Sequence, residues 1–414
     1  NNRMRRFLLP LSLILLAAVF FNVGFAGTGN DNIYKQLKLI SNVLSKTIEN
    51  YVYPIDYEKF FKGGIQGALK TLDPHTVYFE QKQYNDLKTE TKGEFYGIGI
   101  VIGIRDNILT VISPMEGTPA SRLGLRAGDQ IIKIEGKSTR GFTTEDAVEV
   151  LRGEKGTEVT ITIRRYGETK PLDFTVVRDL IEVKSVPYYG VTEYGVGYIR
   201  LTRFSEKAYP ETRDALKDLM AKNVKGVILD LRGNPGGLLN QAVKVASLFL
   251  EDGDLVVYTE GASNYRSDKF HAIPSDVKYT EGKLVVLVNG GSASASEIVS
   301  GAIQDHDRGV VIGQRSFGKG LVQSVIPLSV MDGTALKITT AKYFIPSGRC
   351  IQKEDYLKWK GTSIISDYSM SDTTEYEEWG EGYLFDNIDE DTVASEEEAL
   401  PEYSTEGGRL VYGG

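Results

Sequence analysis

The chain has 414 residues, 41% hydrophobic and 25% charged, the balance of a globular protein with material for two to four domains at roughly 100–200 residues each. Its net charge of −8 is concentrated in residues 351–414, which hold 17 acidic and 4 basic residues; the remainder is only mildly basic and lacks the basic stripe of a nucleic-acid binder. A single cysteine, Cys350, and three histidines, His75, His271 and His306, exclude an intramolecular disulfide and speak against a Cys-rich or multi-His metal centre.

Arg3, Arg5 and Arg6 precede an uncharged run from Phe7 to Ala26 that ends Gly24-Phe25-Ala26. The run lies on the border between a signal peptide and a membrane span, and the arginines ahead of it predict export of the rest of the chain. A cleaved leader and a retained anchor are both compatible with residues 1–26.

Residues 31–70 carry apolar residues three or four apart (Ile33, Leu37, Ile40, Leu44, Ile48), then Phe60, Phe61, Ile65, Ala68 and Leu69 after a break at Tyr53-Pro54. Two amphipathic helices are predicted, stopped at Leu72-Asp73-Pro74-His75 because a residue before proline leaves the helical region. Their apolar faces are a candidate pairing surface for a homo-oligomer. From residue 94 the pattern changes to short strands over 98–104, 108–112, 130–134, 159–164 and 172–177, with helices over 119–123 and 143–152: a small barrel. From 196 strands and helices alternate: strands over 197–201, 226–231, 284–289 and 309–313, helices near 206–222, 237–250 and 294–306. That alternation predicts an α/β layer with parallel pairing. Strands over 321–326 and 336–344 come next, then an acidic, aperiodic stretch over 352–406 that has the composition of an insertion.

Four segments carry chemistry. In Asn289-Gly-Gly-Ser-Ala-Ser-Ala-Ser-Glu-Ile298 a strand runs through glycines into small residues that open a helix. A serine there can be a nucleophile beside helix N-terminal N–H groups that stabilise an oxyanion, or simply an N-cap. A nucleophile needs a base. His306 is twelve residues beyond Ser294 on the same predicted helix, about 18 Å away at 1.5 Å per residue, and His75 and His271 fall in turn or loop sequence. Lys319, in Ser316-Phe-Gly-Lys-Gly-Leu-Val-Gln323, has glycines that permit close approach and apolar neighbours that disfavour its ammonium form. An extended chain puts Gln323 on the same side. Without the serine, Lys319 is as well read as a surface lysine in a glycine turn. Asp230-Leu-Arg-Gly-Asn-Pro-Gly-Gly237 ends a strand with glycines able to present N–H groups to an anion, or forms a plain turn. Tyr96-Gly97-Ile98-Gly99, before a strand, can offer N–H groups to a terminal carboxylate. The strand from Ile100 can accept an added peptide strand, with Ile98, Ile100, Val148 and Leu151 as the side-chain pocket.

Together these segments resemble the C-terminal processing (tail-specific) serine proteases, over about residues 33–350. The resemblance is carried by Leu72-Asp-Pro-His75, Tyr96-Gly-Ile-Gly99, Gly124-Leu-Arg-Ala-Gly-Asp129, Leu151-Arg-Gly-Glu-Lys-Gly156, Asp230–Gly237, Ser292–Ile298, Phe317-Gly-Lys-Gly320 with Gln323, and Pro346-Ser-Gly-Arg349. It implies a multidomain α/β protein: a helical region at 31–93, a PDZ β-barrel inserted at 94–182 and a crotonase- or ClpP-like Ser/Lys protease core at 183–351. By the same resemblance Ser294 is the nucleophile, Lys319 the general base, Gln323 its polar support, Ala295 and Gly236 the oxyanion hole, and Arg152 a residue coupling peptide binding to the core. Glu297 falls near the site with no role attached. The implied activity is an exported serine endopeptidase, periplasmic or anchored facing outward. It grips the free C-terminus of a protein or peptide substrate and needs no metal or other cofactor. An idle PDZ scaffold and a crotonase-like enzyme acting on acyl thioesters are the rival readings. Two departures stand out: the acidic insertion at 352–406, and residues 407–414, which read as a return to the core in a truncated chain.

Overall fold

The computed structural model describes residues 30–262, 267–329, 333–353 and 401–412. The run at 7–26 and most of the acidic stretch lie outside the described residues. No helix among the described residues is long and apolar enough to cross a membrane. The chain separates into two compact units, at Ala68 and Leu69.

The first unit holds α1 (Asn30–Asn50) and most of α2 (Tyr57–Lys70). The apolar stripe of α1 stays largely uncovered, with Ile33 48% and Ile40 56% exposed.

The second unit begins where the sequence stops the helix. Asp73 accepts from the N–H groups of His75 and Thr76 and from the Thr76 hydroxyl, all at 2.8 Å. The turn this makes leads into a strand, β1 (Val77–Phe79), and then α3 (Gln81–Lys92). Within the helical reading of residues 31–93, helix therefore stops at Lys70 and resumes only at Gln81.

The barrel consists of β3 (Ile100–Arg105), β4 (Ile108–Pro114), α4 (Pro119–Arg122), β5 (Gln130–Ile134), β6 (Lys137–Ser138), α5 (Thr144–Leu151), β7 (Glu158–Arg164) and β8 (Leu172–Val177). Its sheet order is β3-β4-β5-β7-β8, with β6 on β5. The period of two shows in β7, where Val159, Ile161 and Ile163 are fully buried. Before and after the barrel, β2 (Glu94–Gly97) and β9 (Asp179–Glu182) pair antiparallel, so both chain crossings run through one two-stranded ribbon.

The remainder is a larger layered core. β10 (Tyr188–Val191), β11 (Gly197–Arg200), β12 (Val227–Asp230), β15 (Leu284–Val288) and β16 (Val310–Gly313) form one sheet in that order. β11, β12, β15 and β16 are parallel, as the strand–helix alternation predicts. α6 (Ala208–Ala221), α7 (Leu239–Ser247) and α8 (Ala295–Asp305) connect them, and their apolar faces share one buried cluster with the strands. A second, antiparallel sheet takes β1, β18 (Thr334–Phe344), β13 (Leu255–Gly261) and β14 (Lys269–His271) in order, with β17 (Leu321–Ser329) also on β18. Last, β19 (Glu402–Ser404) and β20 (Leu410–Tyr412) form a hairpin against the end of α8: Arg349 donates to Asp305 and to the Tyr412 carbonyl, both at 2.9 Å.

Candidate active site

Parallel strands end where their connecting helices begin, so β12 and β15 deliver Asp230–Gly237 and Asn289–Ser294 to the same rim. Ser292 donates to the Leu231 carbonyl at 2.8 Å and Ser296 to the Asn234 carbonyl at 2.9 Å. These two serines tie the neighbouring turns together, and Ser294 stands between them at the mouth of α8. Its φ of 53° and ψ of −111° is a conformation a side-chain-bearing residue rarely holds. It is the sharp strand-to-helix turn that presents a hydroxyl at the rim of a sheet.

The glycine turn is pressed against it. A Cβ on Gly236 would lie 2.9 Å from Ser294 Cβ and 3.0 Å from the Ala295 nitrogen, and φ there is +98°. The Ala295 N–H is at the first helical position, where no acceptor exists within the helix. The Gly236 N–H donates to Asn234 Oδ1 at 2.9 Å, so it must exchange that bond to serve an oxyanion. Asp230, at the start of the turn, is fully buried. Burial alone would raise its carboxyl, but Arg232, Tyr198 and Arg200 outweigh it and hold the group well below the usual range. A cavity of about 320 Å³ opens beside it, lined by Tyr198, Arg200, Arg232, Gly233 and Asn289.

Lys319 lies in a segment without helix or strand between β16 and β17. Its backbone N–H donates to Glu297 Oε2 at 3.0 Å, and the same oxygen accepts from the Ser294 N–H at 2.7 Å. One carboxylate thus joins the peptide of the candidate base to that of the candidate nucleophile. The Tyr343 hydroxyl, on β18, donates to the Lys319 carbonyl. Gln323 is not placed by simple extension of the chain from Lys319, because β17 begins only at Leu321 and a bulge falls between Val322 and Gln323. Gln323 Nε2 is buried with no hydrogen-bond partner among the described residues.

The histidines divide by place. His306 caps the far end of α8, between Glu406 at 2.9 Å and the Leu255 carbonyl at 2.7 Å. His271 faces solvent beside the Gly253 carbonyl. His75 is brought near Lys319 by the pairing of β1 with β18. Burial, together with the charges of Lys319 and Lys337 and against that of Asp73, pushes its imidazole down to about 4.

In the barrel, Tyr96 and Gly97 belong to β2, and Ile98-Gly99 alone forms the turn into β3. The carbonyls of Ile98 and Gly99 accept from Ala120 and Met115 at 3.0 and 2.9 Å. Gly99, at φ +78°, packs so closely on Thr118 that a Cβ would lie within 2.6 Å of it. β3 is the edge of its sheet, with α5 alongside. Ile100 and Val148 are half-buried at this groove, whereas Ile98 and Leu151 are inside the barrel core. Arg152 ends α5, reaches Asp86 of α3 at 2.7 Å and stacks 4.9 Å above Phe95 of β2.

The model of peptidase family S41 matches residues 195–359, and that of the PDZ domain residues 110–165. The chain is 43% identical over 348 residues to the carboxy-terminal-processing protease of Bartonella bacilliformis, covering 83% of this chain and 78% of that one. It is 35% identical over 346 residues to the carboxy-terminal processing protease CtpA of Bacillus subtilis, covering 83% and 72%. Among solved structures, the photosystem II D1 C-terminal processing protease is 29% identical, with a TM-score of 0.44 and coverage of 75% and 83%. Identity at this level runs through barrel and core together, and on it the chain belongs to the C-terminal processing serine proteases of peptidase family S41, with a PDZ domain.

Proposed function

We propose that this peptidase works by a Ser294/Lys319 dyad on substrates held by their free C-terminus. Ser294 Oγ attacks the scissile carbonyl and Lys319 Nζ, as the neutral amine, takes its proton. The oxyanion is met by the Ala295 N–H and by the glycine turn at Gly236. The Lys319 ammonium then protonates the leaving amine, and a water that gives its proton back to Lys319 hydrolyses the acyl-enzyme. Gln323 orients the amine. The single observation that carries this reading is the bond pair at Glu297 Oε2, which draws the Ser294 and Lys319 peptides to one oxygen.

The substrate tail adds to the free edge of β3, its carboxylate at the Ile98-Gly99 turn and its terminal side chain between Ile100 and Val148. The Arg152–Asp86 contact links that groove to α3 and the ribbon leading to the core. The chain acts outside the cytoplasm, delivered by the run at 7–26 as a cleaved leader or a retained anchor, and pairs with a second copy through the uncovered stripe of α1.

The test is cleavage of an unfolded protein with a free or an amidated C-terminus by wild type, Ser294→Ala and Lys319→Ala. Both variants are expected to lose turnover by about a thousandfold or more while binding the tail peptide like wild type, and amidation is expected to raise KM. Wild-type turnover in either variant overturns the dyad.

A further inference from the structure

The dyad mechanism gives Glu297 no task, yet its carboxylate takes four hydrogen bonds at the heart of the site. The residue is 3% exposed. Oε2 accepts from the Ser294 and Lys319 N–H groups at 2.7 and 3.0 Å; Oε1 accepts from the Ser316 hydroxyl at 2.7 Å and the Gly318 N–H at 2.6 Å. A glutamate three residues into a helix normally makes one such bond, back to the N-cap N–H. Here the other three lead to a segment about twenty residues downstream that has no ladder or helix of its own to fix it. Three of the four partners are backbone N–H groups that can only donate, and the Ser316 hydroxyl donates as well, so the set suits a carboxylate's acceptor oxygens.

We propose that Glu297 is a positioning residue for the reaction, a brace that sets the separation of the Ser294 and Lys319 backbones and so aims base at nucleophile. The inference rests on the Ser/Lys reading above. Its logic is geometric: the oxygen shared by the two peptides fixes the distance between them, and the second oxygen fixes the loop's rotation through Ser316 and Gly318. Displacement by about 1 Å in such a pair costs on the order of a hundredfold in rate. Glutamine has the same outline but turns an NH2 group either toward the Ser294 and Lys319 N–H groups or toward the Gly318 N–H, so the brace loses at least one backbone bond.

The experiment measures kcat and KM for Glu297→Gln, with Ser294→Ala and Lys319→Ala in parallel and tail-peptide affinity and thermal unfolding as controls. The expected result is kcat lower by about tenfold to a thousandfold, with KM and tail affinity within about threefold of wild type. A folded Glu297→Gln with kcat within about twofold of wild type overturns the brace, as does a loss that appears in KM alone. If that variant does not fold, Ser316→Ala decides, since it removes one of the four donors: kcat lower by about threefold to tenfold supports the brace, and wild-type kcat overturns it. Full activity in Ser294→Ala or Lys319→Ala defeats the dyad itself, an outcome distinct from failure of Glu297→Gln alone.

Discussion

The Tyr343 hydroxyl donates to the Lys319 carbonyl, beside the Ser294 side chain. The residue is 2% exposed. Burial, and then the charge of Glu297, push its phenol well above 10, so it stays a neutral hydroxyl, able to donate and accept at once. Tyr343→Phe keeps the packing and removes that bond, leaving the Lys319 carbonyl without its donor. We expect unfolding free energy to fall by about 1–3 kcal/mol and kcat/KM by about tenfold. Urea unfolding and initial rates check it, and a variant indistinguishable from wild type in both would mean that the bond contributes nothing.

The fold was legible where one element's own pattern decides it. Val159, Ile161 and Ile163 announce a half-buried strand, and the branched run Val285, Val286, Val288 a buried one. α3 is covered only by the broad helical reading of 31–93, because Gln81–Lys92 has just Tyr84 and Leu87 as large apolar residues and buries no residue completely, so no periodicity marks it. At the site, small residues at a strand-to-helix turn mark the segment, and the family resemblance alone singles out Ser294 within it. Ser294-x-x-Glu297 is a capping-box spacing that could have marked Glu297, but three of that residue's bonds depend on where the 316–319 segment returns. Tyr343 reads as an ordinary strand residue, since nothing local tells which β18 side chain meets a turn some fifty residues earlier. His75 comes within the influence of Lys319's charge where Val77 pairs with Lys337, a register that no local pattern announces.

Gly236→Ala tests the crowding behind the nucleophile. The added carbon would lie 2.7 Å from the Ala293 carbonyl oxygen and 2.9 Å from Ser294 Cβ, at a φ of +98°. The turn must shift, and the proposed oxyanion donors with it. Losing one such donor costs about a hundredfold to a thousandfold, so kcat should fall by that order with tail-peptide binding unchanged. The labelling rate of Ser294 by a fluorophosphonate reads the same geometry without substrate, and a wild-type rate would refute the placement.

His75 gives stability a dependence on pH. Its folded-state value of about 4 lies below the ordinary 6.5, so between these values the unfolded chain holds a proton that the folded chain does not. Stability contributed by the neutral imidazole is therefore full above about pH 6.5 and declines as pH falls toward 4. His75→Gln removes this dependence. Urea midpoints at pH 7 and pH 5 should show wild type losing more than the variant on acidification. Equal losses would show that His75 titrates normally in the folded protein.

Arg152 and Asp86 provide the last test, because their contact spans the barrel helix α5 and α3. Their side chains are 36% and 47% exposed, and an ion pair that open to solvent adds at most about 1 kcal/mol to stability. Any large effect of breaking it must then come through alignment rather than folding. Asp86→Asn keeps the size of the side chain and removes the charge. It should leave the unfolding midpoint and tail-peptide affinity near wild type while lowering kcat severalfold on substrates with a free C-terminus. Amidated substrates, which lack the carboxylate proposed to bind the Ile98-Gly99 turn, should be cleaved at the wild-type rate. An equal loss on both substrate types would assign Asp86 to the general stability of the core, and no loss on either would leave the pair as a surface contact.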